Sequence, residues 1–191
     1  MKLKIYLFRH GQTYYNKKHV FTGWKDSKLT PQGIKDAKKV AHKLKNKKFQ
    51  VAYKTRLSRS KDTLKHVLKF HPECQKIITD DRMIERCYGE LQGKYHKKII
   101  EKVGEKQFDI WHRSYNVPPP GGESVKIVEK RVKLFIKDLL KKMKKEKINV
   151  AISAHGNSMR PFRRYFEKLS QEQMMHLENP WDDFFEYTVN V

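Results

Sequence analysis

Lys2-Leu3-Lys4-Ile5-Tyr6-Leu7-Phe8 runs directly into Arg9-His10-Gly11-Gln12-Thr13, and the rest of the chain is read outward from this stretch. Its first half has the marks of a short strand: β-branched and aromatic residues, bounded by a glycine. Its second half sets an arginine and a histidine at the strand's carboxyl end, where open α/β sheets place their ligands. Gly11 lets the backbone turn sharply and come close to a ligand. A histidine beside a fixed cation at a strand mouth has the chemistry of a nucleophile toward a phosphoryl group. Arg-His-Gly alone decides nothing, because tripeptides match by chance. The weight comes from a second strand-His-Gly unit, Ile148-Asn149-Val150-Ala151-Ile152-Ser153-Ala154-His155-Gly156-Asn157-Ser158. On parallel strands the two units bring His10 and His155 to one crevice.

With both units in view, the sequence resembles the histidine phosphatase superfamily, and within it the cofactor-dependent phosphoglycerate mutases. The resemblance extends over nearly the whole chain. It implies an α/β fold, a three-layer sandwich with a mostly parallel central sheet flanked by helices. It also implies one domain over residues 1–191, with a cap region around 86–124.

Length and composition agree with a chain of this kind. At 191 residues the chain is one domain by prior and long enough to bury a sizeable core. No apolar run reaches a membrane span and no signal-peptide pattern precedes the first strand, so a cytoplasmic enzyme or binding protein is expected. Cys74 and Cys87 suggest neither a disulfide framework nor a metal spacing. The 43 Lys+Arg against 21 Asp+Glu leave a net charge of +22, a field that attracts anions. Most of the excess is lysine scattered along helices, with no zinc-knuckle, RNP-like or basic-zipper signal beside it. A solvated lysine-rich surface is therefore expected, with no specific nucleic-acid partner and no membrane association.

Along the chain, Tyr14 to Asp26 reads as a glycine-containing, aromatic-rich loop in which Phe21 and Trp24 pack. Thr30-Pro31 starts a helix, with Thr as N-cap and Pro at the first helical position. Ile34, Ala37, Ala41 and Leu44 share one face of it. Phe49–Tyr53 and Lys76–Thr79 read as strands, and the segment around Arg56, Ser58 and Arg59 enters a helix whose free backbone donors suit an anion. Two short helices around Lys97–Val103 and Glu105–Tyr115 precede the Pro- and Gly-rich loop Asn116–Ser124. Val125, Val128, Val132, Phe135, Leu139 and Met143 then repeat at three and four residues, the pattern of a long helix packing on a core. The strand ending at His155 follows, completing a crossover of the α/β kind. Residues Asn157 to Lys168 should form the helix behind it, and Phe184–Val191 an edge strand.

The resemblance also assigns roles. It implies that Arg9, His10, Arg59, Glu85 and His155 carry the reaction, and that Asn16, Thr22, Gly23, Arg86, Tyr88, Gly156 and Asn157 contact phosphate or substrate. Arg56 is expected to be surface charge. Straight alignment sets His96 where family mutases have a lysine, with Lys94, Lys97 and Lys98 close by, and His112-Arg113 where they have paired arginines; the resemblance implies that these positions anchor the substrate's distal groups, so His96 and Arg113 join the list. His10 must present an unprotonated nitrogen to phosphorus, its other N–H held by a backbone carbonyl that fixes the tautomer. Glu85 gives a proton to the leaving alkoxide and later takes one back. No metal is expected, since no His-x-x-x-His or carboxylate cluster has ligand spacing. A small phosphorylated metabolite is the expected partner, and a monomer or homodimer the expected assembly.

Two activities follow from one phosphohistidine. Discharge onto a second phosphoglycerate gives a mutase primed by 2,3-bisphosphoglycerate; discharge onto water gives a phosphatase of small phosphate monoesters. His155-Gly156-Asn157-Ser158-Met159-Arg160 and the Glu85-Arg86-Cys87-Tyr88 segment resemble mutases, while the short cap and His96 resemble them less. A binding protein for nucleic acid is the remaining class, supported by charge alone.

Overall fold

The structure, a computed structural model, describes residues 1–190. In chain order it contains β1 (Lys2–Arg9), α1 (Tyr14–Lys17), α2 (Pro31–Leu44), β2 (Val51–Lys54), α3 (Ser58–Leu68) and β3 (Lys76–Thr79). Then come α4 (His96–Val103), α5 (Glu105–Arg113), α6 (Val125–Glu146), β4 (Val150–Ala154), α7 (Gly156–Glu167), α8 (Gln171–Met175) and β5 (Phe184–Asn190). The five strands form one sheet in the order β3-β2-β4-β1-β5. The first four are parallel and β5 closes one edge antiparallel to β1.

Strand alternation divides the core into two layers, because successive side chains point to opposite faces. Leu3, Ile5 and Leu7 of β1 join Val150 and Ile152 of β4 against α6 and α7. Tyr6, Phe8, Ala52 and Ala151 face the other way, against α2 and α3. The result is the expected mostly parallel α/β sandwich. A third, smaller cluster of Phe21, Tyr88, Leu91, Ile99 and Phe108 gathers the loop after α1 with α4 and α5.

The topology positions the site. Helix α2, which follows β1, lies on one face, and α7, which follows β4, lies on the other. Two adjacent parallel strands whose chains leave to opposite faces open a crevice at their carboxyl ends. The register pairs Arg9 with Ala154, so His10 and His155 leave the sheet at the same level.

Most elements lie where the pattern puts them. Thr30 caps α2 by accepting from the Gly33 N–H, and Ser124 does the same for α6 from Ile127. All six apolar residues of the α6 repeat are buried. Four expectations need correction. Ile34 is 38% exposed rather than on the buried face, which runs through Gly33, Ala37, Val40, Ala41 and Leu44. The first turn of α2 packs on the Gly11–Gln12 turn, which admits only a glycine at 33, and this rotates Ile34 outward. Tyr14–Lys17 is a helical turn rather than loop, closed by a reciprocal cap between Thr13 and Asn16. Helix α5 stops at Arg113, short of Tyr115. Helix α8 has no counterpart in the pattern reading. The last residue of the expected edge strand, Val191, lies outside the described residues.

Candidate active site

The crevice at the ends of β1 and β4 deepens into a cavity of about 350 Å³. At its base the His10 and His155 rings lie 5.1 Å apart, centroid to centroid. Ligand atoms of His10, His155 and Glu85 all fall within 4.8 Å of one another.

His10 is held by its own strand and by α3. Its N–H extends the parallel ladder to the Ala154 carbonyl at 3.1 Å, and the Gly11 N–H donates to Thr63 Oγ1 at 3.0 Å. Nδ1 of His10 lies 2.8 Å from the Gly11 carbonyl, an acceptor only, so Nδ1 carries the proton and Nε2 is left with its lone pair. This is the tautomer expected from the sequence. Burial, then the charges of Arg59 and Arg9, hold the His10 pKa well below the usual imidazole value. The ring therefore stays neutral at physiological pH.

His155 is fully buried beside His10 at the base of the crevice, outside the set of residues that line the cavity wall. Its Nε2 lies 2.8 Å from Thr55 Oγ1, and its Nδ1 has no partner. Burial again dominates, ahead of Arg59 and His10, in pushing its pKa well down. Ser60 and Ser153 exchange hydrogen bonds between hydroxyl and carbonyl at 2.8 and 2.9 Å, tying α3 to β4 beneath the pair.

Two arginines flank the histidines. Arg59, in the first turn of α3, donates to the Gly23 and Lys25 carbonyls at 2.8 and 3.0 Å. It therefore fixes the Thr22–Gly23 loop as well as lining the cavity. Burial lowers its pKa to about 10, which leaves it charged at neutral pH. Arg9 donates to the Asn179 carbonyl at 3.1 Å, and its guanidinium carbon sits 4.9 Å from the centre of the Trp181 ring. Among the described residues four buried side-chain polar atoms lack a hydrogen-bond partner: Arg9 Nε, His155 Nδ1, Trp181 Nε1 and His71 Nε2. The first two belong to the crevice and Trp181 lines its cavity, where a ligand oxygen would satisfy donors that are costly to leave open.

Glu85 reaches the site from the loop after β3. Its Oε1 accepts from the N–H groups of Arg86 at 2.8 Å and of Asn157, in the first turn of α7, at 3.2 Å. Trp24 and Arg131 hold its backbone carbonyl at 2.8 and 3.0 Å. Asn157 also donates through Nδ2 to the Tyr88 hydroxyl at 3.3 Å.

Of the residues named from sequence, Arg9, His10, Asn16, Thr22, Gly23, Arg59, Glu85, Tyr88, His96, Arg113, Gly156 and Asn157 line the cavity. Asn16 spends its Oδ1 on Thr13, which leaves Nδ2 as its donor. Arg86 does not line it, contrary to the expectation of a substrate contact. It is fully buried and its guanidinium donates to the carbonyls of Glu123, His112 and Trp111 at 2.7, 3.0 and 2.9 Å. Arg56 is on the surface, paired with Asp81 at 2.6 Å. Sequence reasoning assigned no site role to His19, His112, Arg160, Asn179 or Trp181, all of which line the cavity. Only His112 and Arg160 gave a signal, each lying inside a stretch already compared with the family.

The trio His10, Glu85 and His155 is compact enough to ligate a cation, a grouping invisible to local spacing because it joins three distant segments. The four arginines lining the same cavity, Arg9, Arg59, Arg113 and Arg160, oppose a cation and favour an anion. Planar forks of this kind match phosphoryl oxygens in pairs.

Comparison with known proteins agrees with this chemistry. Residues 5–182 match the sequence profile described as "Histidine phosphatase superfamily (branch 1)". A protein of Parvibaculum lavamentivorans named 2,3-bisphosphoglycerate-dependent phosphoglycerate mutase is 44% identical over 177 residues, 91% of this chain and 84% of its own length. A protein of the same name from Brucella melitensis is 39% identical over 181 residues, covering 93% and 88%. Among solved structures, the α-ribazole phosphatase of Shigella flexneri superimposes with a TM-score of 0.84 at 20% identity, over 96% of this chain and 89% of that one. A phosphoglycerate mutase of Bacillus anthracis superimposes with a TM-score of 0.77 at 20% identity, over 98% and 92%. At that identity the structural likeness speaks for the fold.

Proposed function

The chain belongs to the histidine phosphatase superfamily, and from that premise we propose that it interconverts 2- and 3-phosphoglycerate through a phosphohistidine primed by 2,3-bisphosphoglycerate. The observation that carries the reading is His10: neutral, Nδ1–H bound to a carbonyl, Nε2 free at the base of an arginine-lined cavity. The identity of 39–44% to two named mutases supports this substrate over other phosphate esters.

Nε2 of His10 attacks the phosphorus of the bisphosphate, and the bond to the sugar-acid oxygen breaks. Glu85 gives a proton to the departing alkoxide, releasing one monophosphoglycerate. Charge spread over the phosphoryl oxygens is met by Arg9, Arg59, the Asn16 amide and Nδ1–H of His155. Nε2 of His155 lies 2.8 Å from the Thr55 hydroxyl, and with that hydroxyl as donor the ring's proton sits on Nδ1. In the return half, the acceptor hydroxyl loses its proton to Glu85 as its oxygen attacks phosphorus, and the lone pair returns to Nε2. One carboxylate serves both halves because they mirror each other. The two backbone donors on Oε1 keep Glu85 in place throughout. Residues 86–124 act as the cap that positions the acceptor and limits water, within one domain; Arg86 is its buried clamp.

The test supplies 3-phosphoglycerate with and without a trace of 2,3-bisphosphoglycerate and follows 2-phosphoglycerate and free phosphate. The mutase predicts 2-phosphoglycerate that requires the primer. Primer-independent phosphate release with no isomer would replace it with a phosphatase.

A further inference from the structure

The loop that delivers Glu85 is held by side chains from elsewhere in the fold. After β3 it makes one 3-10 turn, Asp81–Met83, and then runs on irregularly toward the cap. Buried carbonyls need donors, and no sheet ladder supplies them here. Arg131, in the second turn of α6, donates through Nη1 to the carbonyls of Arg82 and Ile84 at 2.7 and 2.9 Å. Its Nη2 donates to the Glu85 carbonyl at 3.0 Å. Ser158 of α7 donates to the Met83 carbonyl at 2.7 Å. Trp24 Nε1, from the loop after α1, also donates to the Glu85 carbonyl, at 2.8 Å. The consecutive carbonyls of residues 82–85 are thus held from three distant segments.

The two side chains on the Glu85 carbonyl are themselves fixed. Both carboxylate oxygens of Glu123 accept from the Arg131 guanidinium at 3.0 Å, and Oε2 also accepts from the Cys87 N–H at 2.9 Å. Val128, Val132 and Phe135 seat that stretch of α6 in the main core. The Trp24 N–H donates to Gln92 Oε1 at 2.7 Å, and the Arg56 guanidinium carbon lies 5.1 Å from the centre of the Trp24 ring. Neither Arg131 nor Trp24 lines the cavity. Their hydrogen bonds end on the backbone of a residue that does.

We propose that Arg131 and Trp24 are positioning residues for proton transfer, setting the Glu85 carboxyl against the oxygen that leaves phosphorus when His10 is phosphorylated. The proposal rests on the reading of Glu85 as the acid. In that step the bond from phosphorus to the ester oxygen breaks, and the Glu85 O–H proton passes to that oxygen. The transfer requires hydrogen-bond reach, and a displacement of about 1 Å slows a positioned step about 100-fold. One of the two donors on Oε1, the Arg86 N–H, travels with the same loop, so the carboxyl is placed only as well as the chain that carries it.

A leaving group that needs no proton isolates this role. 2,3-Bisphosphoglycerate loses an alkoxide, which needs the acid; p-nitrophenyl phosphate loses a phenolate that is stable as the anion. Rapid-quench labelling of His10 from the first, and the burst of p-nitrophenolate from the second, give the two phosphorylation rates. Arg131→Lys keeps a cation beside Glu123 and loses the fork; Trp24→Phe keeps an aromatic ring and loses Nε1. Each should slow phosphorylation by 2,3-bisphosphoglycerate about tenfold or more, with its half-saturating concentration and the p-nitrophenolate burst rate both within about twofold of wild type. Glu85→Gln should show the same selectivity more strongly. In that background neither substitution should slow the first rate further, because both act through the same carboxyl. A merely structural role predicts equal losses on both substrates and losses that multiply with Glu85→Gln. Either of those results, or unchanged rates on both substrates, overturns the positioning role and leaves the Glu85 reading intact. A Glu85→Gln variant that slows both substrates equally overturns the reading of Glu85 as the acid, and the proposal with it.

Discussion

Single side chains in this cavity are set by what they cannot bond to as much as by what they can. Arg86 and Arg59 are both buried arginines from segments that resemble family motifs, and sequence offers no means of telling their tasks apart. The structure separates them: Arg59 keeps a face on the cavity, whereas Arg86 gives its whole fork to three carbonyls of the α5 end and the loop before α6. A lysine ammonium cannot reproduce that planar fork. Arg86→Lys should therefore lower stability by about 2–4 kcal/mol in urea unfolding, the scale of losing one or two charge-assisted hydrogen bonds. Unchanged stability with lost activity would return Arg86 to the role of substrate contact. The catalytic-type residues were legible because each sits in a contiguous motif; Asn179 and Trp181 were not, because they meet Arg9 only after the chain has folded back from α8.

At the scale of elements, the strands and long helices follow from alternation and from the three-four repeat. What the pattern misses lies where one element packs on a turn instead of on the sheet. Helix α2 is the example. A Cβ on Gly33 would fall 1.9 Å from the Gln12 carbonyl oxygen, and one on Gly11 would fall 2.1 Å from the Gly33 oxygen. A glycine inside a helix ordinarily costs about 1 kcal/mol relative to alanine. Gly33→Ala should instead destabilise by about 1–3 kcal/mol, the cost of overpacking, and displace the turn that carries His10. Denaturant unfolding and turnover of the same variant check both parts. A stabilised variant with full activity would show that the contact between α2 and the His10 turn is dispensable. Ile34, which periodicity places on the buried face, is exposed for the same reason: the contact at Gly33 fixes the rotation of the helix.

For the molecule as a whole, buried neutral histidines link the site to stability. His10 and His155 are held well below the ordinary imidazole pKa and His112 at about 4. Below about pH 6.5 the unfolded chain binds protons that these folded sites refuse, so stability must fall as pH falls. Carboxylates with lowered pKa, such as Glu167 paired to Arg163 and Tyr187, extend the loss at lower pH, since their contribution disappears as they protonate. Unfolding free energy at constant ionic strength should therefore decline from about pH 7.5 to about pH 5, and inorganic phosphate should raise it. A flat profile over that range would mean that the histidines titrate freely in the fold. None of this could be read from the sequence, in which nine histidines look alike and only packing separates buried from solvated ones.

The central claim concerns one nitrogen, Nε2 of His10. The direct measurement is to incubate the protein with 2,3-bisphosphoglycerate carrying radiolabelled phosphate, and to map the labelled residue by mass spectrometry under alkaline conditions that preserve phosphohistidine. The account predicts acid-labile label on His10 and none in a folded His10→Ala variant. Label on another residue, or label that persists in His10→Ala, would contradict it.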